Sequence, residues 1–183
     1  RQGSRRILPD ILPDRPVYTG GIRQFLPQRA TRNYRHQGWD ASYNRVTTWA
    51  ILQEKNNGQK FVYFNTHLDN DGKTARKEGV QLILDKIKEI APDMPAIITG
   101  DFNCTPGEEP LQTLEKGGME NAAKTAAVTY GPSWSFHDFG RLPVEERVLL
   151  DYVFVTKGAK IDATALSKTN RRTATFPTTV LSC

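Results

Sequence analysis

The chain has 183 residues, enough for one domain with its own hydrophobic core. No apolar run approaches the roughly 18 residues of a membrane-spanning helix, so no membrane span is predicted. The net charge of +5 is concentrated at the ends: residues 1–37 hold eight Arg against two acidic residues, whereas residues 38–170 hold 15 basic and 18 acidic residues. The mildly acidic centre therefore argues against binding of long duplex DNA.

We divide the sequence into an atypical basic segment (1–37), a central domain (38–170) and an atypical tail (171–183). The basic segment is interpreted as a flexible arm that could bind nucleic acid. The chain has no initiating Met and no signal peptide, which indicates a fragment or a processed product. Two cysteines are too few for a disulfide framework, and Cys104 is expected to fill a small buried space.

In chain order, hydrophobic periodicity and turn residues predict an alternation of strands and helices with several hairpins. The clearest helix is 74–90, where Val80, Ile83, Leu84 and Ile87 recur at spacings of three and four and prolines follow. The other predicted elements are a loop (38–45), a strand (46–53), a hairpin turn (56–58), a strand (60–68), a strand (96–99), a short helix (107–116), an aromatic loop (129–140) and a strand (149–155).

Three of these strands carry polar residues within or just after an apolar run. The run Ala-Ile-Ile-Thr at 96–99 is followed by Gly100, expected to turn the backbone, and by Asp101 and Asn103. On an extended segment these two side chains project to one side. The strand 60–68 ends in Asn65, Thr66 and His67, and the strand 149–155 contains Asp151. Polar groups at the carboxyl ends of neighbouring strands predict a ligand site.

The motifs Asn-Thr-His-Leu-Asp, Gly-Asp-Phe-Asn and Asp-Tyr-Val-Phe-Val, in this order, resemble the endonuclease/exonuclease/phosphatase superfamily over about residues 38–168. The resemblance implies an α/β fold, a DNase I-like four-layer sandwich of two mixed β-sheets flanked by helices, with mainly its second half present. It also implies Mg²⁺- or Mn²⁺-dependent hydrolysis of a phosphoester, which could be a small molecule, a lipid head group or a nucleic acid. Relatives with these motifs are often exported bacterial proteins.

Carried over by position, the resemblance assigns catalytic roles to four residues. Asp101 would orient or deprotonate the attacking water and is a candidate metal ligand, and Asn103 would hold that water or a phosphate oxygen. His67 would donate to the phosphate. Asp151 would fix the imidazole of a terminal Ser-Asp-His motif. Candidate substrate contacts, which the motifs support less strongly, are Asn65, Arg45, Phe136 and His137. The ring of Trp39 could stack on a substrate.

Each role has a structural alternative. Asp101 and Asn103 could simply cap backbone groups in a turn, and His67 could be a strand-end histidine bonded to a carbonyl. Asp151 could pair with Arg147, and Asn65 could only fix the following loop. The loop that carries Phe136 could be a small hydrophobic core of its own.

The sequence departs from the superfamily at both ends. The metal-binding Glu of relatives has no counterpart, and residues 176–180 contain no Asp-His. Codons for residues 1–37 and 173–183, read one base later, can spell amino-acid sequences that resemble the superfamily at both ends. A frame shift is therefore a hypothesis, which the nucleotide sequence of the gene would test. As written, the chain is expected to be nearly inactive, and a phosphate-binding remnant of the fold is the alternative function.

Overall fold

The computed structural model describes residues 38–55 and 57–166 in full, and the backbone of two further strands at 17–25 and 177–181. These residues form nine strands and three helices, together with short 3₁₀ turns in the loop before β7. The strands are β1 (Val17–Phe25), β2 (Thr47–Glu54), β3 (Lys60–His67), β4 (Ala96–Asp101), β5 (Met119–Asn121), β6 (Val128–Tyr130), β7 (Asp151–Thr156), β8 (Ile161–Leu166) and β9 (Pro177–Leu181); the helices are α1 (Lys73–Ile90), α2 (Glu109–Lys116) and α3 (Ala122–Thr125).

The strands form two sheets. Six of them pair in the order β1-β2-β3-β4-β7-β5, and three pair in the order β6-β8-β9. Both sheets are mixed: β3 and β4 run parallel, as do β6 and β8, whereas the other pairs are antiparallel. Two mixed sheets with helices are the architecture that the resemblance implies. No helix within the described ranges is both long and apolar enough to cross a membrane.

The two faces of the six-stranded sheet carry different cores. One face packs against α1 and α2 through a cluster that includes Val62, Phe64, Ile98 and Phe154, all almost completely buried. The opposite face contributes a smaller cluster, in which Ile97, Val153 and Val155 pack with Ile161 of β8. Because neighbouring residues of a strand point to opposite faces, the same strands supply both clusters.

Helix α1 confirms the prediction from periodicity, and its apolar positions Val80, Ile83 and Leu84 are buried as expected. Its first turn is capped from a distance: the carboxylate of Asp40 accepts hydrogen bonds from the amides of Thr74 and Ala75. These bonds satisfy two of the amides that a helix leaves unpaired at its start. They also attach the loop that contains Asp40 to the helix.

Gly100 does not turn the backbone, contrary to the prediction. It lies inside β4, paired with both neighbouring strands. Its φ is +145°, and a Cβ at this position would lie 1.8 Å from the carbonyl oxygen of Thr66. Glycine is needed here because β3 approaches too closely for any side chain.

Several boundaries and elements also differ from the prediction. Strand β7 begins at Asp151 rather than two residues earlier, so this acid opens the strand instead of lying in its interior. Glu108 lies outside α2 as its N-cap. Strands β5, β6 and β8 were missed because they are short or rich in Ala and Thr. Strand β1, in the segment interpreted as a flexible arm, and β9, in the atypical tail, were not predicted either. Most of the basic segment lies outside the described residues, so its proposed role as a separate arm is not addressed by the structure. Residues 171–176 and Asn56 of the hairpin turn also lie outside the described residues.

Candidate active site

Three predicted catalytic residues stand side by side across the middle of the six-stranded sheet. His67 of β3 is the register partner of Asp101 of β4, and Asp101 is the register partner of Asp151 of β7. Residues paired across adjacent strands point to the same face, with Cβ atoms about 5 Å apart. We call His67, Asp101 and Asp151, whose catalytic roles are predictions, the catalytic row. It lies at the carboxyl ends of β3 and β4, as the sequence predicted.

His67 faces Asp101 directly, with its Nε2 atom 3.3 Å from Oδ2 of the carboxylate. Partial burial lowers the pKa of His67 below its ordinary value; Asp101 and Asp69 oppose this shift, and the charge of Arg45 adds to it. The imidazole is therefore mainly neutral at pH 7. The alternative for His67 was a strand-end histidine bonded to a backbone carbonyl. The structure instead places its Nε2 beside the carboxylate of Asp101.

Asp151 is the acid of the row whose pKa is raised. Burial raises its pKa to about 6; the nearby charge of Asp101 also raises it, whereas a hydrogen bond from the Ser135 hydroxyl lowers it. The same Ser135 oxygen accepts the amides of Leu150 and Asp151. Arg147, the alternative partner, instead lies over the ring of Trp134 at 4.4 Å and donates to the carbonyl of Leu142.

Ser135 is a site residue that the sequence analysis missed. It is buried, and it ties the loop before β7 to the end of the catalytic row. Its only signal in the sequence is its place in the Ser-Trp-Ser-Phe-His segment, ahead of Phe136 and His137. A serine in an aromatic loop gives no indication of a contact 16 residues away.

Asn103 does not continue the extended strand as predicted. Its φ is +49°, in the left-handed region, and Phe102 between it and Asp101 is completely buried. The amide N–H of Asn103 donates to Oδ1 of Asp101, which forms an Asx turn, and the side-chain amide donates to the carbonyl of Leu68. The capping alternative thus describes part of the geometry, but Oδ2 of Asp101 still faces His67.

Asn65 lies one step below the row on the same face. Its side-chain amide donates to Oγ1 of Thr99 at 2.9 Å, and the hydroxyl of Tyr63 lies 2.6 Å from the same oxygen. Asn65 therefore joins β3 to β4 rather than holding the loop after its own strand. This polar layer separates the catalytic row from the apolar residues deeper on that face.

Arg45 is held at the edge of the site by the loop after β3. Its Nη2 donates to Oδ1 of Asn70 at 2.8 Å, and its guanidinium lies over the ring of Tyr43. The carboxylate of Asp69, buried, accepts the amides of Ser42 and Tyr43 and lies 3.9 Å from Nε of Arg45. Arg45 thus contributes positive charge close to His67. Trp39, in the loop 38–45 that also contains Arg45, is exposed.

The loop between β6 and β7 is open rather than a separate hydrophobic core. Phe136 is 44% exposed, and its backbone pairs with Val148. The ring of His137 meets that of Trp134 edge-on at 5.5 Å. A small cavity of about 50 Å³ opens between the two sheets beside Asp151, with walls that include Leu149, Thr129 and Thr164.

The geometry can be compared with known proteins. The endonuclease/exonuclease/phosphatase family model matches residues 8–168. The chain belongs to this family. It is similar to a family member from Bacteroides vulgatus of known structure, at 32% identity and a TM-score of 0.81 over 88% of this chain. It is also similar to a mannosyl-6-phosphatase of Bacteroides thetaiotaomicron, at 25% identity and a TM-score of 0.74, again over 88% of this chain.

Two curated proteins are also similar to the chain. An uncharacterized protein of Acanthamoeba polyphaga mimivirus is 30% identical over 64% of the chain, and the Drosophila melanogaster protein angel is 25% identical over 79%. The chain spans 46% and 43% of their lengths, and 64% and 65% of the two solved bacterial structures. The similarity to the Bacteroides vulgatus structure confirms the DNase I-like fold class predicted from the sequence.

The row offers oxygen atoms of the kind that Mg²⁺ prefers. Asp101 is the register partner of Asp151, whose pKa is raised mainly by burial and also by the nearby charge of Asp101. A cation between them would relieve the repulsion between their charges. Within residues 38–55 and 57–166 no group of three or more His, Cys, Asp or Glu side chains could hold a metal. Two carboxylates suit Mg²⁺, which usually keeps several waters and binds its substrate's phosphate.

Proposed function

We propose that this chain carries the site of a phosphoester hydrolase that depends on Mg²⁺ or Mn²⁺ and uses water as the nucleophile. The catalytic row is the single observation that supports this most strongly. It places a carboxylate, a neutral imidazole and a carboxyl group with a pKa of about 6 on one face of three adjacent strands. Groups with altered ionisation that lie together are typical of functional sites.

In this proposal Asp101 orients or deprotonates the attacking water. Its Oδ1 accepts the amide of Asn103, and its Oδ2, which lies 3.3 Å from Nε2 of His67, would meet the water. His67 binds a phosphate oxygen as a neutral donor. Asn103 uses one side-chain N–H for the carbonyl of Leu68 and keeps the second for the water or a phosphate oxygen.

Asp101 and Asp151 would hold the divalent cation, which supplies charge neutralisation of the phosphate when bound. Arg45 adds a fixed positive charge on the side of His67. The proposed substrate is a phosphoester of a small molecule, a lipid head group or a nucleic acid. The mannosyl-6-phosphatase among the similar structures supports a small sugar phosphate as one candidate substrate.

The alternative function is a phosphate-binding module without turnover. The observation that favours it lies in the sequence: residues 176–180 contain no Asp-His, and the chain has only three histidines. Losing a general acid–base group costs about 10²- to 10⁴-fold in rate. The alternative keeps phosphate binding by His67 and Arg45 but predicts no hydrolysis.

Hydrolysis of bis-p-nitrophenyl phosphate, with Mg²⁺ and with a chelator, tests the proposal. Asp101→Asn removes the charge but keeps an oxygen for the amide of Asn103, so the fold should survive. Asp85→Asn, at an exposed position of α1, is the matched control. The proposal predicts slow turnover that requires the metal and is lost only in Asp101→Asn. Phosphate binding without turnover would support the alternative, and turnover insensitive to Asp101→Asn would refute the proposed roles.

A further inference from the structure

Arg76, in the first turns of α1, is a charged residue buried outside the catalytic row. Its side chain is only 7% exposed. A buried guanidinium is costly unless hydrogen-bond acceptors and opposite charge surround it. The positions of its partners therefore show which parts of the molecule the residue holds.

One set of partners lies in the loop that follows His67. Nη1 of Arg76 donates to the carbonyl of Asp69 at 3.2 Å and to that of Asn70 at 3.0 Å. The side chain of Asp69 is itself fixed, because it accepts four backbone amides, two from the loop 38–45 and two from residues 71 and 72. Arg76 thus anchors the backbone that also positions Arg45.

The other partner lies in the loop that follows Asp101. Nη2 of Arg76 is 3.8 Å from Oε2 of Glu108. Oε1 of the same carboxylate accepts the backbone amide and the hydroxyl of Thr105, at 2.6 and 2.8 Å. Burial alone would raise the pKa of Glu108, but the bonds from Thr105 and the charge of Arg76 hold it below its ordinary value.

From these contacts we infer that Arg76 is a positioning residue that joins the two loops behind the catalytic row. Residues 68–72 follow His67, and residues 102–108 follow Asp101; Arg76 and Glu108 connect them through one ion pair. This inference rests on the proposed function, because the distance between His67 and Asp101 is what the connection would fix. Arg76 itself does not touch the row.

Arginine suits this position for a geometric reason. Its planar guanidinium can donate to two carbonyls through one nitrogen and face a carboxylate through another. A lysine ammonium is a single point charge on a flexible stem, and it cannot reproduce the fork. Arg76→Lys therefore keeps the charge and the fold but should loosen the connection.

The test compares Arg76→Lys, Arg76→Ala and Glu108→Gln with Lys77→Ala as the matched control. Lys77 is the next residue of α1 and forms an ion pair with Glu109 at 2.7 Å, at the surface. Misplacement of catalytic groups by a fraction of an ångström or more should lower kcat by about 10- to 100-fold in the Arg76 variants, with little change in KM. Methylguanidinium should restore part of kcat in Arg76→Ala, and the control should match the wild type.

Hydrogen exchange of backbone amides gives a readout that does not need turnover. Glu108→Gln is expected to speed exchange at residues 71 and 72, although it lies in the other loop, and Arg76→Lys is expected to speed exchange at Thr105. If the wild type shows no turnover, the proposed function fails while exchange still decides this inference. Folded Arg76→Lys and Glu108→Gln proteins with unchanged exchange in the opposite loop would overturn it.

Discussion

The two faces of the six-stranded sheet differ in chemistry although the same strands build them. On the helix-covered face, Phe64, Ile98 and Phe154 are completely buried and pack in one cluster. On the other face, the residues next to them in sequence include Asn65 and Thr99, and the catalytic row follows at the strand ends. The helix-covered face therefore supplies the larger core, and the other face combines a smaller apolar cluster with polar groups towards its strand ends.

This difference predicts that stability and function respond to different substitutions. Removing apolar volume from the helix-covered face costs both transfer free energy and a cavity. By contrast, removing a carboxylate from the row removes electrostatic repulsion and the cost of burying a charge, which favours folding.

Gly100→Ala affects both faces, because it forces β3 and β4 apart. The new Cβ would lie 1.8 Å from the carbonyl oxygen of Thr66, so the variant is expected to lose cooperative unfolding, as measured by circular dichroism during heating. Gly107→Ala is the control, since its φ is also positive (+91°) but its Cβ would meet no atom within 4 Å. Equal effects of the two substitutions would show that strain in φ, not the close approach of β3, decides the requirement for glycine.

Phe154→Ala should destabilise the helix-covered face by about 3–5 kcal/mol, since a fully buried aromatic side chain leaves a cavity. Urea denaturation gives the change in free energy of unfolding. Phe136→Ala, at a half-exposed aromatic in the loop before β7, should cost less than about 1 kcal/mol. A loss at Phe136 as large as that at Phe154 would contradict the assignment of the core.

Asp151→Asn should stabilise the fold at pH 8 without divalent metal, by about 1 kcal/mol once solvent screening of this partly exposed group is allowed for. Burial raises the pKa of Asp151 from 3.8 to about 6, so the folded protein favours the protonated acid. That preference is fully present below pH 4 and is lost as the pH rises through 6. Denaturation at pH 4 and pH 8 should therefore show a gain only at pH 8, and an equal gain at both would contradict this origin.

The strands of the catalytic row and helix α1 were predictable because their apolar runs and periodicity are strong local signals. The convergence of His67, Asp101 and Asp151 was predicted from the resemblance, whereas their side-by-side register became visible only in the folded sheet. Asp151 was placed inside its strand because the preceding leucines extend the apolar run, although the strand begins at the acid itself.

The parts that could not be predicted depend on contacts between distant segments. The carboxylate of Asp40 accepts hydrogen bonds from amides of α1, and that of Asp69 accepts them from amides of the loop 38–45, so these bonds connect residues 26 to 35 positions apart. The need for Gly100 arises from the backbone of another strand, and a Gly-Asp pair otherwise indicates a turn. Short strands such as β6 are stabilised by their neighbours rather than by their own residues.

Binding of Mn²⁺, followed by electron paramagnetic resonance, tests most directly whether the catalytic row acts as one site. One Mn²⁺ site per chain is expected, with affinity weakened at least about tenfold by Asp101→Asn and by Asp151→Asn and unchanged by Asp85→Asn. This result would show that the two opposed carboxylates bind the metal together, whether or not turnover is fast. Mn²⁺ binding that survives both substitutions, or that weakens equally in Asp85→Asn, would contradict a shared metal site at Asp101 and Asp151.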